Sequence, residues 1–256
     1  MKPIAIFRHS AGEGPGYFAT FLERHNLPWQ LIAVDAGDAL PAEATGYSGL
    51  VFMGGPMSVN DPLPWIEQEL ALIRAAAAHD IPVLGHCLGG QLMAKAMGAA
   101  VTRNPQKEIG WGEVKTSKHD AARDWLGDQA SFTSFHWHGE TFGIPPGATR
   151  ILGSEACTNQ AFVIGPHLGM QCHVEMTEDM IAEWGRIGAD EIAANPCATV
   201  QSAADMLGQA PQYLGQMRAA ADRLYTRWIA GLKSLPEKKR GQGRRGTGQR
   251  FHEPGS

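Results

Sequence analysis

One cysteine of this sequence stands in a setting that could make it a nucleophile. Cys87 lies in the run GHCLGGQ at Gly85–Gln91, directly after a strand-like apolar segment and directly before a helix-like one. A tight strand-to-helix turn needs small neighbours because strand and helix approach closely, and the run supplies three glycines. The helix that begins near Leu88 directs its free N–H groups toward the sulfur, which favours the reactive thiolate. The residues therefore predict nucleophilic chemistry at Cys87.

A second block could supply a base and the group that orients it. In the run GMQCHVE at Gly169–Glu175, His173 and Glu175 stand two residues apart. Residues two apart on an extended segment point to the same side, so the carboxylate can hold one ring nitrogen while the other faces the thiol. Histidine suits this role because its proton moves near neutral pH. The pattern is that of a nucleophile, a base and an orienting group.

Other histidines compete for the role of base, and each short motif also has a purely structural interpretation. His86 is adjacent to the nucleophile but is expected to point away from it across the turn. His136 and His138 stand two apart on a predicted strand and could form a metal-binding pair, yet no third ligand with suitable spacing stands near them. An isolated H-x-E pair is most often a surface pair, so the motif gains weight only alongside the cysteine block.

The composition bounds the class of protein. The chain has 256 residues, a net charge of −4 and four cysteines, which form no C-x-x-C pair and no zinc-ligand spacing. We interpret Cys157 and Cys197 as structural, and we keep a role open for Cys172 because it neighbours His173. Nothing resembles a signal peptide or a membrane span, so we expect a reducing, cytoplasmic compartment and no membrane association.

The elements that position these residues follow from apolar periodicity. Near-continuous apolar runs predict buried parallel strands, and helical patterns separate them. The predicted strands of the first half are Ile4–Phe7, Leu31–Val34, Leu50–Met53 and Ile81–Leu84, with helices at Tyr17–His25, Trp65–Ala78 and Gln91–Met97. The alternation predicts an α/β fold with a doubly wound, mostly parallel, flavodoxin-like sheet flanked by helices.

The second half predicts further, antiparallel strands. Gly and Pro break it into β segments at Val101–Thr116, Ser131–Trp137, Thr149–Leu152, Gln160–Ile164 and Gly169–His173. A helix is expected from Thr177 to about Ile187, and residues 199–232 predict two helices that are split near Pro211. We expect one domain over residues 1–235, with residues 199–235 as its helical extension. Residues 236–256 form a basic tail that we expect to be disordered.

Three separated blocks together resemble the class I glutamine amidotransferases, and in particular the glutaminase domain of GMP synthetase. Gly85–Gln91 resembles the family's G-x-C-x-G-x-Q motif, Gly54-Gly55-Pro56 resembles its oxyanion loop, and Gly169–Glu175 resembles its G-x-Q-x-H-P-E block. Supporting matches lie at residues 108–111, 137–140 and 160–162. Val174 replaces the usual proline, Cys172 the usual aromatic residue and Glu140 the more common aspartate. The loss of the proline is expected to loosen the turn that positions Glu175.

The resemblance implies a mechanism for a stand-alone glutaminase. Cys87 attacks the side-chain amide of glutamine to form a γ-glutamyl thioester, His173 moves the protons and Glu175 orients His173. Backbone N–H groups of Gly55 and Leu88 form the oxyanion hole, which typically contributes 10²–10³ in rate for each donor. The family pattern further assigns substrate binding to Gly54, Gln91, Trp137 and His138. It implies no metal and no organic cofactor. Because this chain shows no phosphate-binding loop motif, we expect the ammonia acceptor to be a separate synthetase subunit, or no acceptor to exist.

Three alternatives remain open at this stage. The same triad could hydrolyse γ-glutamyl amides or peptides with a larger leaving amine. A degenerate amidotransferase could instead act as a regulatory or binding subunit without catalysis. The basic tail could bind nucleic acid, although no aromatic platform or recognised module accompanies it. The sequence does not determine the oligomeric state.

Overall fold

The computed structural model describes residues 1–232, and the basic tail lies outside the described residues. Within them, nine strands form a single sheet in the order β2-β1-β3-β4-β9-β8-β7-β5-β6. The strands are β1 (Ile4–Arg8), β2 (Trp29–Ala33), β3 (Gly49–Phe52), β4 (Val83–His86), β5 (Val101–Thr116), β6 (Ser131–Phe142), β7 (Thr149–Gly153), β8 (Ala161–Ile164) and β9 (His167–Met170).

The sheet has a parallel half and an antiparallel half. Strands β2, β1, β3 and β4 pair in parallel, as their near-continuous apolar runs predict. The sequence places β9 among the added antiparallel strands, but it pairs in parallel with β4 and is antiparallel only to β8, so it completes the parallel core. Strands β8, β7, β5 and β6 extend β9 by antiparallel pairing. The predicted α/β class, with a parallel core and added antiparallel strands, is therefore confirmed.

Helices cover both faces of this sheet within residues 1–232. They are α1 (Gly16–Arg24), α2 (Pro64–Ala78), α3 (Leu88–Ala96), α4 (Asp120–Leu126), α5 (Glu178–Ile187), α6 (Ala189–Ala194) and α7 (Ala203–Ile229). Two hydrophobic clusters result. One joins the sheet to α1, α4, α5 and α7, and the other joins it to α2 and α3. Burial of both sheet faces explains why the parallel strands do not alternate between apolar and polar residues.

Two further local predictions differ from the structure. The predicted break near Pro211 is wrong, because α7 runs through that residue as one helix. A proline removes only one helical hydrogen bond, and buried residues on both sides of it, Ala210 and Leu214 among them, hold the helix against the core. Strand β9 ends at Met170, so His173 and Glu175 lie in the irregular segment after it rather than at the strand end.

Candidate active site

Cys87 occupies the turn between β4 and α3 in a strained backbone conformation. Its φ is 50° and its ψ is −106°, a combination that a non-glycine residue rarely adopts and that costs about 1–3 kcal/mol. The Cys87 N–H donates a 2.8 Å hydrogen bond to the carbonyl oxygen of Met170 at the end of β9. The neighbouring parallel strand therefore holds the turn in place.

The glycines around Cys87 are required by close backbone contacts. A Cβ at Gly85 would overlap the backbone of Gly89, and a Cβ at Gly89 would overlap the carbonyl of Phe52 in β3. A Cβ at Gly90 would meet the carbonyl of Met170 in the same way. The predicted reason for these glycines, close approach of strand and helix, matches the packing.

His173 and Glu175 form a short contact beside this turn. The Nδ1 atom of His173 lies 2.6 Å from Oε1 of Glu175, and both side chains are buried. Two backbone hydrogen bonds with Phe135, of 2.8 and 3.3 Å, fix the His173 segment to β6. The ring of Trp184 packs edge-on against the imidazole, with ring centroids 4.9 Å apart. The orientation of the imidazole is thus set from three sides.

The second nitrogen of His173 faces no partner within residues 1–232. Its Nε2 atom is buried without a hydrogen bond, and His173 lines the same cavity as Cys87. Burial alone would lower the pKa of His173, but the charges of Glu175 and Cys87 raise that pKa well above its ordinary value of 6.5. The arrangement can hold a proton on the imidazole next to the sulfur.

Glu175 is contacted by a second histidine. Nε2 of His86 lies 3.7 Å from Oε2 of Glu175 and 3.0 Å from the hydroxyl of Tyr225. Burial opposes ionisation of Glu175, but His86 and His173 outweigh it and lower the pKa of Glu175 to about 2. His86 therefore contacts the Glu175 carboxylate, which its position in the sequence did not predict.

The cavity beside Cys87 has a volume of about 730 Å³. Of the predicted site residues, it is lined by Cys87, His173, Gly55, Gln91, Trp137 and His138. Gly54 precedes the cavity-lining Gly55 in the chain. Leu88 is the first residue of α3 and packs against Gly55. Gln91 donates a 3.1 Å hydrogen bond to Gln171, whose own amide nitrogen lies 3.5 Å from the sulfur of Cys87. The structure thus brings together residues from all three sequence blocks.

Glu13, which no sequence motif indicated, lines this cavity from the loop after β1. Its carboxylate lies against Gly54 and near Cε1 of His173. Burial raises the pKa of Glu13 to about 7, with the Glu175 charge acting in the same direction and the His173 charge opposing it. The position of Glu13 after β1 could have indicated this role, because the loop after a parallel strand lies at the edge where such sheets bind ligands.

Cys172 does not share in the site. The side chain is fully buried and burial raises the pKa of its thiol to about 12, so the reactive thiolate is disfavoured. Its neighbour His173 points to Glu175 instead. The structural interpretation of Cys172 therefore fits its surroundings.

Glu108 is a third buried titratable residue beside His136 and His138. One ligand atom from each of the three lies within 4.8 Å of the others. The carboxylate already accepts hydrogen bonds from Gln160 at 2.8 Å and Ser154 at 3.2 Å, and it lies 3.0 Å from Nε2 of His138. These contacts satisfy the carboxylate, whereas Nδ1 of His136 is buried without a hydrogen-bond partner within residues 1–232. The prediction that no third ligand stands near the two histidines is therefore wrong, because the fold brings Glu108 beside them.

The family model described as glutamine amidotransferase class-I matches residues 22–180. This chain belongs to the class I glutamine amidotransferase family. Its members include the GMP synthase of Aromatoleum aromaticum, which is 27% identical over 54% of this chain. The matched segment spans only 28% of that synthase.

Two other relatives match more of their own length. The glutamine amidotransferase-like protein YfeJ of Salmonella typhimurium is 32% identical over 68% of this chain and 75% of its own. Gamma-glutamyl peptidase 3 of Arabidopsis thaliana is 27% identical over 66% of this chain and 72% of its own.

A solved structure of this amidotransferase family superposes closely. The crystal structure of a glutamine amido transferase from Methylobacillus flagellatus has a TM-score of 0.89 and 46% sequence identity. The alignment covers 93% of this chain and 98% of that one. Within residues 1–232, no helix of this amidotransferase is long and apolar enough to cross a membrane.

Proposed function

We propose that this amidotransferase hydrolyses the side-chain amide of glutamine through Cys87, His173 and Glu175. The observation that carries the proposal is the buried His173, held by Glu175 at 2.6 Å with its free Nε2 in the cavity of Cys87. A base that is oriented on one side and open on the other is what a thiol nucleophile requires.

The proposed reaction has two halves. In the first, the thiolate of Cys87 attacks the amide carbon, a C–S bond forms and the carbonyl becomes an oxyanion. The C–N bond then breaks as Nε2 of His173 gives its proton to the leaving nitrogen, which departs as ammonia. In the second half, His173 removes a proton from water, the hydroxide attacks the thioester and glutamate leaves with the thiolate restored.

The groups that would stabilise the oxyanion are the N–H groups of Gly55 and Leu88. Leu88 begins α3, so its N–H is one of the free donors at a helix N-terminus, where negative charge is favoured. For the remainder of the substrate we propose Gly54, Gln91, Trp137 and His138. Gln91, Trp137 and His138 line the cavity, and Gly54 is the residue before the cavity-lining Gly55.

A glutamine-mimicking electrophile tests this proposal directly. The full chain is incubated with the electrophile and the adduct is located by mass spectrometry. We expect one adduct, on Cys87, together with loss of ammonia release from glutamine. The variant C87S should form no adduct, whereas C172S, which removes a buried thiol outside the cavity, should react like the wild type. Absence of any adduct on Cys87 in the folded wild type would favour a non-catalytic binding role instead.

A second candidate function is hydrolysis of γ-glutamyl amides with a larger leaving amine. The cavity of about 730 Å³ is of the size that holds drug-sized ligands, which are much larger than glutamine. The relative named gamma-glutamyl peptidase 3 supports the same reading. Comparing kcat/KM for glutamine with that for γ-glutamyl-methylamide and γ-glutamyl dipeptides separates the two. A kcat/KM that is at least tenfold higher for a γ-glutamyl dipeptide than for glutamine would identify γ-glutamyl peptides, rather than glutamine, as the substrates.

The ammonia acceptor is proposed to be a synthetase on a separate chain, and the compartment is proposed to be the cytoplasm. The matched segment of the GMP synthase spans about a quarter of that enzyme, which leaves room there for a further catalytic part. Purification of the tagged full chain from its source, followed by measurement of glutaminase activity with and without each co-purified protein, tests the partner. A true partner should raise glutamine turnover.

A further inference from the structure

A buried histidine and a buried glutamate lie directly beneath the loop that follows β3. His9 follows β1, Glu69 belongs to α2, and neither side chain is exposed to solvent. Nε2 of His9 lies 3.0 and 3.1 Å from the two carboxylate oxygens of Glu69. Nδ1 of His9 lies 3.0 Å from the carbonyl oxygen of Met53 and 3.2 Å from that of Gly54. The proposed reaction assigns no role to either side chain.

The hydrogen-bond partners determine where the His9 proton sits. Carbonyl oxygens can only accept, so Nδ1 must carry a proton and donate it to the loop. Glu69 engages the opposite nitrogen and thereby keeps the ring in this orientation. Burial would lower the pKa of His9, but the hydrogen bonds and charge around it, those of Glu69 foremost, raise that pKa above 6.5.

The carbonyl of Gly54 belongs to the same peptide group as the N–H of Gly55. The described residues contain no cis peptide bond, and in a planar trans peptide the C=O and N–H point in opposite directions. A donor that holds the Gly54 oxygen therefore fixes the Gly55 N–H so that it points away from His9. Side chains of Leu88, Met57 and His9 crowd the position that a Cβ of Gly55 would occupy, and Gly55 lines the cavity of Cys87.

We propose that His9 and Glu69 are positioning residues that aim the Gly55 N–H at the oxyanion. This inference rests on the proposed function, because it needs an oxyanion to form at Cys87. The other groups that face His9 are Trp65 of α2, stacked on its ring at 5.0 Å, and the carboxyl of Glu13. Trp65 fixes the plane of the imidazole without competing for its protons.

Two substitutions at His9 separate the donor from the rest of the ring. His9→Leu removes both ring nitrogens, whereas the amide nitrogen of His9→Asn can replace Nδ1 as a donor. We expect His9→Leu to lower kcat about 10- to 100-fold with little change in KM, somewhat less than the loss of a whole oxyanion donor. His9→Asn should recover most of that loss. His167→Leu is the matched control, since His167 is a buried histidine on β9 whose Nδ1 accepts from the N–H of Val83.

Alkylation of Cys87 by iodoacetamide distinguishes positioning from general distortion, because alkylation forms no oxyanion. The alkylation rate should stay within about twofold of wild type in the His9 variants while γ-glutamyl turnover falls. An equal fall in both rates, or a His9→Asn variant as slow as His9→Leu, overturns the positioning role. Wild type that hydrolyses no γ-glutamyl amide removes the proposed function as well, whereas full activity in His9→Leu overturns the positioning role alone.

Glu69→Gln keeps the proposal testable if His9→Leu does not fold. Without the carboxylate, burial lowers the pKa of His9, so the ring is held as a neutral imidazole, and the glutamine amide oxygen can compete with the backbone carbonyl oxygens for its single proton. We expect Glu69→Gln to lower kcat several-fold with little change in KM, while the alkylation rate of Cys87 stays within about twofold of wild type. A folded Glu69→Gln variant with wild-type kcat contradicts the role of Glu69.

Discussion

The imidazole of His86 and the carboxylate of Glu175 approach to 3.7 Å, on a carboxylate that also holds His173 at 2.6 Å. The buried carboxylate of Glu175 is thus contacted by two histidines, His86 at the end of β4 and His173 in the segment after β9. The raised pKa of His173 places positive charge beside Glu175 and keeps this buried carboxylate ionised, whereas burial lowers the pKa of His86.

Removal of the Glu175 charge should impair catalysis more than binding. Glu175→Gln leaves the shape intact but removes the charge that raises the pKa of His173, so the imidazole loses its preferred tautomer and proton. We expect kcat to fall about 10²- to 10⁴-fold, as for other orienting carboxylates. Steady-state ammonia release measures the effect.

A matched control for Glu175→Gln is Glu183→Gln. Glu183 pairs with Arg186 on the exposed surface of α5, where a charge pair contributes little. Its kcat should equal that of wild type. A Glu175→Gln variant that retains more than half of wild-type kcat would remove Glu175 from the proposed triad.

The glycine at the start of α3 should be intolerant of even a methyl group. In Gly89→Ala the new Cβ would overlap the carbonyl of Phe52. Neither α3 nor β3 can move apart without shifting the turn that holds Cys87. We expect a loss of about 1–3 kcal/mol in the free energy of unfolding. Gly208→Ala, which has open space around its Cβ within α7, should instead gain about 0.5–1 kcal/mol. Urea denaturation of both variants provides the comparison, and similar values for the two would contradict the packing argument.

Glu13 should destabilise the protein at high pH. Its folded-state pKa of about 7 exceeds its ordinary value of 4.5, so the folded state binds more protons than the unfolded state between these values. Stability must therefore fall as the pH rises from about 4.5 through 7, by about 3 kcal/mol at most. Glu13→Gln should match wild type near pH 4.5 and exceed its stability at pH 8.

Chemical denaturation at the two pH values checks the Glu13 prediction. Glu140→Gln is a suitable control, since Glu140 lines the same cavity and has a hydrogen bond from Ser58 at 2.8 Å. That variant should show no gain in stability at pH 8. A Glu13→Gln variant whose stability follows that of wild type at both pH values would mean that Glu13 is solvated.

Deletion of residues 236–256 should leave glutamine turnover unchanged. The residues that line the cavity lie between Glu13 and Asn195, and the segment to be removed has six basic residues and almost no apolar ones. Ammonia release and the urea midpoint of the shortened chain are compared with those of the full chain. A drop in turnover of more than about threefold would assign the tail to the active site. Nucleic-acid binding by the full chain that is lost in the shortened chain would support the alternative that the tail binds nucleic acid.

The sequence by itself determined the local elements and the catalytic candidates. The near-continuous apolar runs predicted β1, β3 and β4 to within two residues, because burial on both faces leaves a local signature. The glycines around Cys87 predicted a close strand–helix contact, which the overlap of a Cβ at Gly89 with Phe52 bears out. His173 and Glu175 are two residues apart, so their pairing could be inferred without knowing the fold.

Only the tertiary structure decided which distant side chains meet. Glu13 reaches the cavity, and His9 meets Glu69 sixty residues away, because β1, β3 and α2 are adjacent in the folded sheet. Strand order and register set such contacts, and no local pattern encodes them. The same cause explains the unbroken helix at Pro211, where packing against the sheet outweighs a local preference to break.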